Sequence, residues 1–159
     1  MKGIGRTIKR RRKENKTDYK ARLGLLKSGK NRLVIRKTNR FIIAQIVGSN
    51  IAQDEVIIGV NSKELISKGW PKEKIGSLKN LQACYLTGFL LGKKYNGEEV
   101  ILDIGLQRNV HKGRIYAVLK GVVEAGLNIK HNEESLPSDE RINDEKMKEI
   151  VKKIKEKIK

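Results

Sequence analysis

The side chains best suited to chemistry in this sequence are the arginines and lysines crowded at its N-terminal end. The first forty residues hold sixteen of them against two acids, Glu14 and Asp18, in a chain of formal net charge +18. Residues 41–130 have twelve basic and eight acidic residues, and the last 29 have eight of each. Cationic side chains at such density bind a polyanion by releasing its condensed counterions. The distribution of charge therefore makes nucleic acid the first hypothesis for a ligand.

Seven cations within the first sixteen residues are the first candidates for contact with phosphate groups. The planar guanidinium of arginine can hold a phosphate with two hydrogen bonds and can stack on unpaired bases. The alternative is a solvated basic tail that serves solubility or nuclear import. Because this arm has little to bury and much like charge, we expect it to be disordered until it binds. The seven are Arg6, Lys9, Arg10, Arg11, Arg12, Lys13 and Lys16.

A second group of candidates lies at a predicted turn between two strands. A tight turn projects its hydrogen-bond donors together, which suits phosphate oxygens and the 2′-hydroxyls of RNA. An ordinary polar turn is the alternative for this composition. The group comprises Arg36, Lys37, Thr38, Asn39 and Arg40, with Gln45 further along the second strand.

A third group surrounds the predicted start of a helix. His111, Lys112 and Arg114 flank Gly113. Unpaired N–H groups at a helix N-terminus favour a phosphate, and cations beside them strengthen such a site. Gly113 could instead serve only as a structural cap. We expect these four residues to contact RNA.

Tyr19 and Arg22 share the first predicted helix and complete the candidate set. Tyr19 could stack on a base. It could equally join Leu23 and Leu26, which recur at helical spacing, in the interface with the core. The sequence leaves both alternatives open.

Groups that carry catalysis form no recognisable constellation. One cysteine and two distant histidines argue against zinc. The segment Gly3-Ile-Gly5 lacks the third glycine and the flanking strand and helix of a dinucleotide loop. A two-metal nuclease needs converging carboxylates; Asp103 stands in a strand, where we expect it to accept hydrogen bonds. Its candidate partners, which form no recognisable cluster with it, are Asp54, Glu55 and Glu124. We therefore predict no catalytic residue, metal or cofactor.

Other partners for a basic chain are less well supported. A DNA-compacting or otherwise generic nucleic-acid-binding protein would spread its charge over the whole surface, whereas the middle of this chain is near balance. The lysine-rich C-terminal helix could lie on an anionic membrane, but no apolar stretch approaches the ~20 residues that span a bilayer. The N-terminus lacks the apolar core of a secretory signal. We expect a cytoplasmic protein without a membrane partner.

The spacing of apolar residues predicts a mixed α/β domain. Alternation indicates strands, and recurrence every three or four residues indicates helices. The predicted strands are residues 33–35, 41–47, 56–60 and 99–104. The predicted helices are one from Thr17 to residues 27–29, one from Asn61 or Ser62 to Gly69, a longer one capped by Ser77, one from Gly113 to Gly126, and a C-terminal one from Asp144. This order predicts a mixed sheet covered by helices.

Finer features follow from the same pattern. Gly48-Ser49-Asn50 is expected to end the second strand. Trp70 and Cys84 are assigned to packing. The apolar stripe of the C-terminal helix is expected to pack on the core or on a neighbouring molecule. The chain then divides into a basic arm (1–16), an α/β domain (17–130), and a polar connector with a C-terminal amphipathic helix (131–159).

Six segments in a fixed order carry a family resemblance over nearly the whole chain. They are KTDYKARLGLLKSGKNRLVIRKTNRFIIAQIV (16–47), ELISKGW (64–70), YLTGFLLG (85–92), ILDIGL (101–106), GRIYAVLKGVVEAGL (113–127) and LPSDERI (136–142). The sequence resembles the archaeal form of the large-subunit ribosomal protein numbered eighteen, a relative of the eukaryotic ribosomal protein numbered five.

This resemblance implies a non-catalytic protein that binds 5S rRNA and joins it to the central protuberance of the large ribosomal subunit. The implied partners are 5S rRNA, large-subunit rRNA and a neighbouring 5S-binding ribosomal protein. The implied fold is α/β, with a mixed sheet and helices in a ribonuclease-H-like layout. In this family a Gly-Arg pair contacts RNA, which matches Gly113 and Arg114 here.

Overall fold

The predicted mixed sheet covered by helices is confirmed in the computed structural model, which describes residues 7–51, 53–145 and 147–158. The four strands are β1 (Asn31–Lys37), β2 (Ile42–Asn50), β3 (Gln53–Asn61) and β4 (Val100–Asp103). Their spatial order is β3-β2-β1-β4, in which β4 runs parallel to β1 and the other neighbours are antiparallel. Because β1 and β4 are parallel, their C-terminal ends lie at the same end of the sheet.

Helices cover the sheet and lead into it. The α-helices in the described residues are α1 (Arg10–Lys13), α2 (Tyr19–Lys27), α3 (Leu81–Lys94), α4 (Arg114–Glu124), α5 (Asp139–Ile142) and α6 (Lys148–Ile158). The 3₁₀ helices are Ser62–Ile66, Lys72–Ser77 and Glu133–Ser135. Within the described residues, none of the helices has the length and apolar character needed to cross a membrane.

The central strands have two faces of opposite character, because successive side chains point to opposite sides. Leu33 and Ile35 of β1 pair with Ile46 and Ala44 of β2, and all four are buried in the core beneath the helices. The outer face carries Arg32, Val34 and Arg36 on β1, with Gln45 and Val47 on β2. The register that buries the apolar set therefore also fixes the position of the polar side chains.

Helix α3 is the centre of the core. Every residue from Gln82 to Gly92 is buried, because α3 contacts the sheet, α4 and α6 on different sides. Two glycines bring α3 and α4 into backbone contact. A Cβ atom at Gly88 would lie 2.0 Å from the carbonyl oxygen of Val118, and one at Gly121 would lie 2.1 Å from that of Tyr85. Larger side chains would force the two helices apart.

The C-terminal helix packs on this core, which was one of the two alternatives expected for it. Val151, Ile154 and Ile158 of α6 are buried. The Lys155 ammonium donates to the Glu124 carboxylate on α4 at 2.9 Å and to the Tyr85 hydroxyl on α3 at 2.6 Å. Three helices thus meet at one polar cluster at the edge of their apolar interface.

Three predicted boundaries are wrong for identifiable reasons. Helix α2 is capped by Asp18, whose carboxylate accepts from two backbone N–H groups, while the Thr17 hydroxyl accepts from Arg11. Gly48 does not end β2, because β3 pairs alongside it as far as Asn50. Ser77 lies in a 3₁₀ helix that precedes α3, and the Asn80 side chain provides the cap. In each case a residue type typical of a helix cap or a strand end was present. The backbone hydrogen bonds at that point are instead made by a neighbouring residue or by a neighbouring strand.

Other details of the prediction are confirmed. Trp70 and Cys84 are buried in the core. Helix α4 begins after Gly113 and is followed by Gly126, which has a φ of 106° and so ends the helix in the left-handed region. The predicted connector is less irregular than expected, since it contains a 3₁₀ helix and α5.

The contact between α3 and α4 can be tested with a matched pair of alanine substitutions. Gly88→Ala places a methyl group against the Val118 carbonyl, and we expect it to lower the free energy of unfolding by about 3 kcal/mol. Gly24→Ala lies in α2, where nothing is within 4 Å of the new methyl group, and should raise it by about 0.5–1 kcal/mol. Urea denaturation measures both. Equal effects of the two substitutions would contradict the close crossing.

The buried thiol offers a second test of the core. Burial raises the pKa of Cys84 to about 12, although the positive charges of Arg114 and Lys37 partly oppose this. At about pH 8 the native thiol should therefore react with a disulfide reagent at least ~100-fold more slowly than in denaturant, because the reagent needs an accessible thiolate. Native reactivity that matches the denatured rate would contradict this packing.

Candidate nucleic-acid interface

A buried arginine organises the outer face of the sheet. The Arg32 side chain is only 2% exposed. One of its terminal nitrogens donates to Asp103 of β4 at 2.8 Å, and the other donates to Asp54 of β3 at 2.6 Å. A buried charge needs such partners, since desolvation is costly. Arg32 thereby ties the two edge strands together across the sheet.

The second arginine on Asp54 comes from helix α2. Arg22 donates to both oxygens of Asp54, at 2.7 and 3.0 Å. Burial alone would raise the pKa of Asp54, but the hydrogen bonds from Arg22 and Arg32 outweigh it and lower that pKa. The hydrogen bond to Asp54 in turn raises the pKa of Arg22. At neutral pH Arg22 and the Asp54 carboxylate are therefore both charged.

Arg36 continues the network toward the end of the sheet. It donates to the backbone oxygens of Ile35 at 2.8 Å and Asp103 at 3.0 Å, while its side chain remains 41% exposed. Asp103 also accepts from the backbone N–H of Gly105 at 2.8 Å. Asp103 is thus the hydrogen-bond acceptor that we expected.

The carboxylates named as candidate partners of Asp103 lie in different surroundings. Asp54 does approach Asp103, but an arginine lies between the two carboxylates. Glu124 pairs with Lys155 on the far side of the fold. Among the described residues, no group of three or more histidine, cysteine or acidic side chains could hold a metal ion.

A groove of about 570 Å³ runs between α2 and the outer face of the sheet. Its floor includes Val34 and Val47, and its other wall includes Leu25 of α2. Candidate RNA-binding residues from the strands, from α2 and from the arm line it as well, so they share one cleft. They are Arg11, Lys16, Arg22, Arg36 and Gln45.

The arm contacts α2 at two points. Arg11 donates to the Thr17 hydroxyl at 2.8 Å, and the Lys9 ammonium lies 4.5 Å from the centre of the Tyr19 ring. Residues 10–13 form the single turn of α1, and their side chains are exposed. The expected disorder of the free arm stays a prediction. Arg6 lies outside the described residues.

Tyr19 does not join the core. Helix α2 buries none of its residues, and Leu23 is 55% exposed. The alternative that Tyr19, Leu23 and Leu26 form an interface with the core is therefore wrong. The aromatic ring is half-buried beside Lys9, where a base could stack on it.

The predicted turn is exposed from Lys37 to Arg40. The Thr38 hydroxyl accepts from the backbone N–H of Phe41 and donates to its carbonyl, both at 2.9 Å. Thr38 therefore shapes the turn, while Asn39 and Arg40 extend from it into solvent.

The third candidate group lies in the loop before α4. Lys112 has a φ of 57°, and its N–H donates to the Ser135 carbonyl at 2.8 Å. Gly113 follows it, and a Cβ atom there would lie 2.7 Å from the Val110 carbonyl oxygen. Among the described residues no side chain caps the helix, and Arg114 at its first position is exposed. The His111 ring makes an edge contact with Tyr116.

The turn and the loop occupy the same end of the molecule. They follow the C-terminal ends of β1 and β4, which are parallel neighbours. Arg36 bonds to the end of β4, and Gln107 of the loop donates to Ile35 of β1 at 2.6 Å. The predicted groups therefore converge on the groove and the adjacent end of the sheet.

Sequence reasoning missed Arg32 and the role of Asp54. The available signal was that Arg32 alternates with Val34 and Arg36 along β1. These three side chains therefore share one face of the strand, and the residues between them are apolar. The acidic partners lie 22 and 71 residues away along the chain, so no local pattern could identify them.

Comparison with known proteins gives a consistent assignment. The family described as ribosomal large subunit proteins 60S L5 and 50S L18 matches residues 6–99 and 96–132. The large ribosomal subunit protein uL18 of Methanothermobacter thermautotrophicus is 43% identical over 150 residues, which cover 92% of this chain and 76% of that protein. The uL18 protein of Korarchaeum cryptofilum is 48% identical over 150 residues, 92% of this chain and 75% of that protein.

A third relative agrees with this assignment. The uL18 protein of Methanospirillum hungatei is 48% identical over 145 residues, which cover 89% of this chain and 81% of that protein. Members of the family are structural components of the ribosome and are not enzymes. The chain therefore belongs to the family of large-subunit ribosomal proteins that comprises 60S L5 and 50S L18.

Proposed function

We propose that this protein binds 5S rRNA in the large ribosomal subunit and helps to attach it to the central protuberance. The observation that carries the proposal is the convergence of the candidate cations on one surface. The groove collects the arm and strand residues, and the turn and the loop before α4 follow the C-terminal ends of the parallel strands β1 and β4 beside it. The surface of α6 and α3 lies on the other side of the sheet.

The arm supplies the electrostatic part of this binding. Its ion pairs are exposed: Glu14 contacts Arg10 at 3.5 Å and Lys16 at 2.9 Å. Exposed pairs of this kind contribute little, about 0–1 kcal/mol. A phosphate that offers charge-assisted hydrogen bonds can therefore replace Glu14 without a large cost.

The folded surface supplies the selectivity. Tyr19 offers an aromatic ring for an unstacked base, and Asn39 and Arg40 extend from a fixed turn. The uncapped N-terminus of α4 suits one phosphate between Lys112 and Arg114. RNA is read through such shape, stacking and 2′-hydroxyl contacts more than through its deep groove. A structured RNA with defined loops is therefore the ligand that fits.

The three segments of the chain take distinct roles in this proposal. Residues 1–16 act as the RNA-binding arm, and residues 17–130 form the 5S rRNA-binding domain. Residues 131–159 brace that domain through α6. A neighbouring 5S-binding ribosomal protein, which the family resemblance implies, is the proposed protein partner.

The proposal predicts selective binding that survives moderate salt. The full chain should bind 5S rRNA more tightly than an unrelated folded RNA of equal length at about 0.2 M salt. A truncated protein that begins at Thr17 should keep this preference. Its plot of log affinity against log salt should be shallower by roughly 0.7–0.9 for each phosphate that the arm neutralises in the full chain.

Filter binding across a salt series measures both quantities. Equal affinity for the two RNAs, abolished together as salt rises, would instead describe a generic polycation and contradict the proposal.

A further inference from the structure

Helix α2 lacks the apolar anchorage that normally fixes a helix. It is nine residues long and buries none of them. A helix of that length is marginal in isolation, because most helical stability in proteins comes from packing of an apolar face. Another interaction must therefore determine where α2 and the attached arm lie.

The Asp54 carboxylate provides this interaction. It accepts two hydrogen bonds from Arg22 of α2 and one from the buried Arg32 of β1. Arg32 is held in turn by Asp103 of β4. A continuous set of charged hydrogen bonds thus connects α2 to three strands, and Asp54 is the member that joins the helix to the sheet.

The position of the arm follows from that of α2. Arg11 bonds to Thr17, and Lys9 lies over the ring of Tyr19. Both contacts are made to the first residues of α2 or to the residue just before its cap. If α2 moved away from the sheet, α1 would move with it, and the cations on the two sides of the groove would separate.

We propose that Asp54 is a positioning residue for RNA binding, whose carboxylate holds α2 and the cationic arm over the outer face of the sheet. This inference rests on the proposed function. It makes a prediction opposite to that of simple electrostatics. A carboxylate within a cationic surface repels RNA, so electrostatics alone predicts that its removal strengthens RNA binding. If the carboxylate positions α2, its removal releases α2 from the sheet and weakens RNA binding.

Asp54→Asn and Glu55→Gln form a matched pair for this test. Both remove one negative charge from neighbouring residues of β3. Glu55 is exposed, points to the opposite face of the strand, and makes none of the ion pairs within 4 Å in the described residues. At about 0.15 M salt, Asp54→Asn should bind transcribed 5S rRNA about five-fold or more weakly than the wild type. Glu55→Gln should bind equally or slightly more tightly.

A conservative replacement and a spectroscopic readout separate positioning from loss of fold. Asp54→Glu retains a carboxylate and should recover at least part of the affinity. In the free protein, hydrogen exchange of Asp54→Asn should show faster exchange at the α2 amides, with the α3 amides unchanged. If Asp54→Asn also exposes α3, α2 exchange in free Arg22→Lys gives the decisive result, because this variant keeps the charge and leaves Arg32 paired but removes the two-pronged hydrogen bonding to Asp54. Exchange in the free protein is independent of any contact that Arg22 itself makes with RNA.

The outcomes are distinguishable. Binding by Asp54→Asn that equals or exceeds that of Glu55→Gln would overturn the positioning role. So would unchanged α2 exchange in both Asp54→Asn and Arg22→Lys. Failure of the wild type to prefer 5S rRNA would overturn the proposed function instead, while the exchange measured on free protein would still decide whether Asp54 holds α2.

Discussion

The charge on Arg32 is the constraint on which the rest of the candidate surface depends. A guanidinium that is 2% exposed must be surrounded by acceptors, because an unpaired buried charge costs several kcal/mol. Asp54 and Asp103 supply acceptors to its two terminal nitrogens from opposite edges of the sheet, while the buried Nε has no hydrogen-bond partner among the described residues. Their remaining hydrogen-bonding capacity then holds Arg22 and Arg36. One ion network around a buried arginine thus connects a helix, a strand end and a loop to the sheet.

The apolar side of the sheet makes that arrangement rigid. Helices α3 and α4 touch backbone to backbone at Gly88 and Gly121, and α6 closes over them through buried side chains and the Lys155 cluster. The core therefore needs nothing from the outer face for its own packing. The outer face can therefore carry arginines and line a groove, which suits a ribosomal protein that contacts rRNA.

Local sequence patterns predicted those parts of the fold that depend on near neighbours. Short apolar runs predicted β1 and β2, and the spacing between Gly113 and Gly126 predicted α4. The prediction was wrong where a residue outside the local pattern provides the hydrogen bonds. Gly48 stays within β2 because β3 pairs with it, and Asp18 caps α2 while Thr17 bonds to the arm. The candidate cations could be identified from composition and resemblance. The Arg32 network could not, since its members come together only in the folded sheet.

Lysine footprinting of the complex with 5S rRNA would test most directly whether one face of this fold binds RNA. Reaction of the amines with an acylating reagent, read by mass spectrometry, compares free and bound protein at every lysine at once. We predict that Lys9, Lys13, Lys37 and Lys112 are protected in the complex. The reactivity of Lys72, Lys152 and Lys153, which are exposed in the free protein, should stay unchanged. Protection of Lys152 and Lys153 on α6, or uniform protection of all seven, would contradict it.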